Sequence, residues 1–165
     1  MRTLSLLVLA AVMALSGCGF QLRGQAELPS DMRVLGVRAA NADVRNELAI
    51  YLQSSGVKVV NAETAANTDA VLIVGAENFS RRVLSIDPNT GKAREFELAY
   101  TFEYSVVGRD GETVVVPQSV RLVRDLVFDE DAVIGKSREE GVLRKEMRRD
   151  AIEQLIRRLQ VSLRS

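Results

Sequence analysis

The spacing of hydrophobic positions changes several times along this chain. From Leu4 to Leu15 almost every residue is apolar, and Arg2 precedes the run. Phe20 to Ser30 has no clear period, and Pro29 opposes a helix through it. Met32, Val34, Leu35 and Val37 then mark a first strand. Asn41 can cap a helix in which Val44, Leu48, Tyr51 and Leu52 recur at helical spacing, with Asp43, Arg45, Asn46 and Glu47 on its surface. Gly56 is placed to stop it. Val57 to Val60 reads as a short strand, and the polar, Ala-rich stretch Asn61 to Asp69 as a loop or short helical turn.

The middle of the chain has the period of a sheet. Ala70 to Val74 suits a buried strand, continuing through Phe79 toward Ile86, and Asp87-Pro88-Asn89-Thr90-Gly91 is turn chemistry. After the turn, Phe96, Leu98, Tyr100, Phe102, Tyr104 and Val106 alternate with Glu95, Glu97, Ala99, Thr101, Glu103 and Ser105. That is a strand with one face in a core and one face polar. Asp110-Gly111 signals a hairpin. Thr113 to Phe128 is a second long strand, in which Pro117 predicts a bulge or an edge. A final helix is predicted from about Lys136 to Gln160, with an apolar stripe of Val142, Leu143, Met147, Ala151, Ile152, Leu155, Ile156 and Leu159 among many cations. The fold class that follows is an α/β (α+β) two-layer sandwich: two helices on one face of a mostly antiparallel sheet with long central strands.

The apolar run at the start is too short to span a bilayer, which takes about 20 residues. A basic residue followed by such a run is a signal peptide. Leu15-Ser16-Gly17-Cys18 has the leucine, two small residues and cysteine of a lipoprotein cleavage site. Cys18, the single cysteine, is therefore expected to be an acylated anchor rather than a nucleophile or metal ligand; stable anchoring takes at least two acyl chains. Gly19 rather than Asp follows it, which favours the outer membrane. The expected organisation is 1–17 signal peptide, 18–30 lipidated tether and 31–165 a single domain.

Composition narrows the function further. Lys plus Arg equals Asp plus Glu at 22 each, which gives no global attraction to nucleic acid. A lone cysteine allows no internal disulfide, so stability must come from packing. Histidine is absent, which removes the commonest general base and metal ligand and excludes Ser-His-Asp and Cys-His catalysis. No Ser-x-x-Lys, Gly-x-Ser-x-Gly, phosphate loop or His-Glu-x-x-His is present. No enzyme and no cofactor is expected beyond the covalent lipid on Cys18.

Two blocks point to a family. Cys18-Gly19-Phe20-Gln21-Leu22-Arg23-Gly24 resembles the mature N-terminus of the LPS-assembly lipoprotein LptE family, and residues Glu139 to Leu159 are similar to that family's last helix. Gly91-Lys92-Ala93-Arg94-Glu95-Phe96-Glu97-Leu98 resembles its central hairpin, and the order of elements agrees along the whole chain. The resemblance implies a non-catalytic outer-membrane lipoprotein, lipid-anchored on the periplasmic side. Such proteins plug the lumen of the LptD β-barrel, help it assemble, and bind lipopolysaccharide as it is inserted into the outer leaflet. A plug needs a polar exterior around its own core, and a large barrel has a polar lumen.

Lipopolysaccharide carries phosphates and carboxylates, which Arg and Lys bind well. The resemblance makes Arg81, Arg82, Lys92 and Arg94, around the hairpin, candidate ligands, together with Lys136, which aligns with a basic position tied to ligand binding in the family. Tyr100, Phe102 and Tyr104 could line an acyl-chain groove, but a stripe of that period reads first as core. A competing function is a lipoprotein adaptor of an envelope transporter with no barrel partner. A third, an envelope hydrolase using Glu95 and Glu97 side by side on one strand, is weaker, because Glu103 shares that face and an ordinary solvated surface explains all three.

Overall fold

The computed structural model describes residues 32–62, 67–127 and 133–164, with side chains in the last stretch from Glu139 to Leu163. The expected signal peptide, the expected tether and Cys18 lie outside the described residues. The elements, in order, are β1 (Val34–Ala39), α1 (Ala42–Ser54), β2 (Lys58–Asn61), β3 (Ala70–Val74), β4 (Asn78–Ile86), β5 (Ala93–Gly108), β6 (Thr113–Val127) and α2 (Val133–Arg164).

Local chemistry accounts for most boundaries. The Asn41 side chain accepts from the N–H of Asp43 at the start of α1. Gly56, at φ +80°, ends the turn after that helix, a conformation that costs a residue without a Cβ least. Pro117 sits where β6 carries one more residue than β5: Tyr104 faces Gln118 while Val106 faces Val115. That is a bulge on an edge strand, which suits a residue with no N–H to donate.

The six strands form one mixed sheet. β1 runs parallel to both β2 and β3, while β5 is antiparallel to β3, β4 and β6. The sheet is mostly antiparallel, as expected, with parallel pairs at β1, because β1 feeds α1, which crosses back before β2. β5 organises the rest. β6 follows one of its edges from Glu95 to Val107. The other edge is shared end to end: β3 pairs with Tyr104–Gly108 and β4 with Ala93–Thr101. The continuous strand predicted from Ala70 toward Ile86 is thus two strands, broken at Gly75–Glu77.

Leu98, Tyr100, Phe102, Tyr104 and Val106, on one face of β5, join Leu35, Val37, Leu72 and Val74 in the core. Val44, Leu48 and Leu52 of α1, and Met147, Ala151, Ile152, Leu155, Ile156 and Leu159 of α2, cover that same face. The aromatic stripe is therefore core. The predicted stripe on α2 is too long at its N-terminal end, since Val142 is 54% exposed and Leu143 only partly buried. The helix itself begins at Val133, three residues earlier than expected, and is 32 residues, or about 48 Å, long.

Candidate functional site

Beyond Thr101 toward Ala93, β5 has only β4 and β6 beside it, so the sheet narrows to a three-stranded ribbon. Its tip is ordered by Asp87, whose carboxylate accepts from the N–H groups of Asn89 (2.8 Å) and Thr90 (3.0 Å). Those two bonds, aided by the charge of Arg94, hold the Asp87 carboxyl below its ordinary pKa. Gly91, at φ +69°, and a backbone bond from Asp87 N–H to the Lys92 carbonyl (2.8 Å) close the turn.

The ribbon separates the two adjacent arginines. Arg81 faces Leu98 and lies on the helix side, where its guanidinium sits 4.6 Å from the Phe96 ring centroid and pairs with Glu140 of α2 at 2.9 Å. Arg82 faces Glu97 on the opposite surface and pairs with it at 3.1 Å. Glu97 also holds Arg121 at 3.8 Å. Arg81 and Arg82 therefore cannot grip one ligand group together. Arg94 is exposed and falls where the register slips, between Ser85 facing Glu95 and Ile86 facing Ala93, so the alternation along β5 does not assign it to a face. Lys92 is exposed at the tip. Lys136 is in the first turn of α2, one helical turn before Glu140; its side chain lies outside the described residues. The topology thus brings Arg81 and the Lys136 position to the helix side of the ribbon, with Arg94 and Lys92 near its tip and Arg82 behind.

Sequence reading missed the group behind this surface. Glu77, in the break between β3 and β4, has a side chain only 8% exposed. The Tyr100 hydroxyl donates to one of its oxygens, and Asn41 Nδ2 donates to the other at 2.7 Å. Arg144 of α2 pairs with it at 3.4 Å and lies 5.3 Å from the Phe79 ring centroid. Burial first, and then the Glu77 carboxylate, push the Tyr100 hydroxyl far above its ordinary pKa. Next to it Arg148, nine-tenths buried, pairs with Asp43 at 2.9 Å and Glu47 at 3.6 Å. Burial pulls its pKa down, but the Asp43 hydrogen bond and the charges of Glu47 and Glu77 outweigh that, and the guanidinium stays charged. No local pattern signals Glu77; its partners lie 23 to 67 residues away.

The carboxylates considered for hydrolysis are engaged. Ser85 Oγ donates to Glu95 at 2.8 Å, and Glu97 is held by two arginines. At the far end of α2, a hollow of about 350 Å³ is lined by Gln154, Arg157, Arg158, Val161 and Ser162. There Arg157 pairs with Glu153 and Arg158 donates to the Ser119 carbonyl.

Residues 31–159 match the family described as LptE, lipopolysaccharide-assembly. An LPS-assembly lipoprotein LptE from Pectobacterium atrosepticum is 28% identical over 160 residues, covering 96% of this chain and 85% of that one. Among solved structures, an uncharacterized lipoprotein B from Nitrosomonas europaea superimposes with a TM-score of 0.70 at 31% identity, over 87% of this chain and 90% of that one. Rare lipoprotein B from Shewanella oneidensis gives 0.65 at 29% identity, over 80% and 99%. These proteins share the two helices and mixed sheet described above, and the chain belongs to the LptE family of lipopolysaccharide-assembly lipoproteins, which are assembly factors and not enzymes.

Proposed function

We propose that this protein is an outer-membrane lipoprotein, acylated at Cys18, that sits as a plug inside an LptD-type β-barrel, helps that barrel assemble, and binds lipopolysaccharide on its way to the outer leaflet. The family match over residues 31–159 is the observation that carries this reading. The distribution of charge supports it. The core is closed by its own helices, while both faces of the ribbon present ion-paired arginines and carboxylates. A polar lumen accommodates such a surface, which a lipid bilayer would not.

Lipopolysaccharide is read by the ribbon and the start of α2, with Arg94 and Lys136 as the main cations, Arg81 on the helix side, and Lys92 at the tip. Arg82, on the other surface, contributes least. Substituting Lys136→Asp together with Arg94→Asp reverses two charges on exposed or helix-start positions and leaves the core untouched. The double variant is expected to keep the melting temperature and lose affinity for lipopolysaccharide; unchanged affinity removes these residues from the site.

Mild-detergent purification of the full-length lipoprotein from outer membranes, followed by mass spectrometry, tests the partner. A near-stoichiometric large β-barrel is expected. Recovery of the lipoprotein alone, or with inner-membrane transporter subunits, replaces the plug with an adaptor.

A further inference from the structure

The seam between the ribbon and the first half of α2 is built from two matching units. In one, Arg81 of β4 stacks on Phe96 and pairs with Glu140 of α2. In the other, Arg144 of α2 stacks on Phe79 and pairs with Glu77, just before β4. Each side thus contributes one cation and one carboxylate, four residues apart: Glu77 and Arg81 on the strand side, Glu140 and Arg144 on the helix. Both arginine side chains are 48% exposed, so neither pair is sealed from water.

A part-exposed ion pair such as Arg81–Glu140 contributes about 0–1 kcal/mol and is readily exchanged. A guanidinium held over an aromatic ring within about 6 Å is restrained, and its planar fork suits the several oxygens of a phosphate. A phosphate monoester carries about −1.5 to −2 charges at neutral pH, against −1 for Glu140. The seam therefore has the parts of an anion site whose cations are already in place and whose counter-anions are supplied by the protein.

We propose that Arg81 and Arg144 form a phosphate-binding pair for the lipid headgroup and that Glu140 is its built-in competitor, displaced when the ligand arrives. Glu77 differs from Glu140: at 8% exposure, with Tyr100 and Asn41 bonded to it, it stays in place and positions Arg144. Exchange of Glu140 for phosphate breaks the Arg81 contact between α2 and β4, so binding loosens the first half of the helix from the ribbon. This deepens the lipopolysaccharide-binding reading above and rests on it.

The test uses the full-length lipoprotein in mild detergent, with purified lipopolysaccharide, phosphatase-treated lipopolysaccharide and inorganic phosphate as probes. Glu140→Gln removes the competing charge while keeping the side chain's shape. It is expected to bind intact lipopolysaccharide about two- to fivefold more tightly than wild type, the range an exposed ion pair allows. Arg81→Lys and Arg144→Lys, which keep charge but lose the fork and the stack, are expected to bind it more weakly. With the dephosphorylated lipid, Glu140→Gln and wild type are expected to bind alike. A purely structural Glu140 gives unchanged or weaker binding in Glu140→Gln, which overturns the proposal. So does a tightening that persists without phosphate, or one seen with inorganic phosphate but not with the lipid. If wild type itself fails to bind lipopolysaccharide, the functional reading falls first and this inference with it. If wild type binds and Glu140→Gln does not tighten, only this inference falls.

Discussion

One sheet and one helix carry two regions with opposite construction. At the core end, β1, β3 and the C-terminal half of β5 are covered by α1 and the second half of α2, and side chains such as Leu48, Leu72 and Leu155 are fully buried. At the ribbon end the same α2 adds a set of ion pairs to the apolar contacts: Arg81 with Glu140, Arg144 with Glu77, and Arg124 with Glu146 and Asp150. Val83, Leu84, Ile86 and Val127 are 44–61% exposed there. Apolar burial is strong and not readily exchanged, whereas part-exposed ion pairs are weak and can accept another partner. The lesson is a division of labour within continuous elements: the fold is stabilised by apolar burial at one end and carries part-exposed ion pairs at the other.

That contrast predicts a wide spread of mutational effects. Leu155→Ala, in the core half of α2, is expected to lower unfolding free energy by about 2–5 kcal/mol. Val83→Ala, 46% exposed on the ribbon, is expected to stay within about 0.5 kcal/mol. Urea unfolding of the two variants checks both, and comparable losses would break the comparison. Glu77→Ala strikes the junction of the two regions. It strands the Tyr100 hydroxyl and the Asn41 amide and is expected to cost about 1–3 kcal/mol. Hydrogen exchange should rise in β4 and in α2 around Glu140, and little in β1 or β3.

Alkaline pH probes the core end. Tyr100, Tyr104 and Tyr51 are each raised above the ordinary value of 10.0, in every case first by burial. Folding therefore favours the neutral phenols. Their contribution is complete below pH 10 and is lost as pH rises above it, because the unfolded chain ionises first. Between its unfolded and its folded pKa, each such group weakens the fold by at most about 1.4 kcal/mol per pH unit. Tyr100→Phe is expected to flatten the decline, measured as urea midpoints between pH 9 and 11. Asn41→Ala is expected to cost about 1 kcal/mol for the helix cap, read by thermal melting.

The core end was the more legible of the two in the sequence, for a physical reason. Burial on one face imposes a period, and the alternation from Phe96 to Val106 located β5, its core face and the long hairpin. Asn41, Gly56 and Pro117 act through their own backbone chemistry, so their roles could be read one residue at a time. The break at Gly75–Glu77 was hidden because β3 and β4 share one edge of β5 and read as a single extended run. The parallel pairing of β1 with β3 leaves no mark of its own. Arg81 and Arg82 were visible as cations, but their assignment to opposite faces depends on the register with β5, and their partners lie 59 and 15 residues away. The Glu77 junction is tertiary throughout.

The central claim is that the ribbon, and not the helix-covered end, handles the lipid. Placing a photoreactive amino acid at Arg94 and at Val83 on the ribbon, and at Ile50 and Val161 on exposed positions of the core end, tests it in cells. Ultraviolet crosslinking is expected to join lipopolysaccharide to the ribbon positions and not to Ile50 or Val161. Adducts at Ile50 and Val161, with none at Arg94 or Val83, would contradict the account.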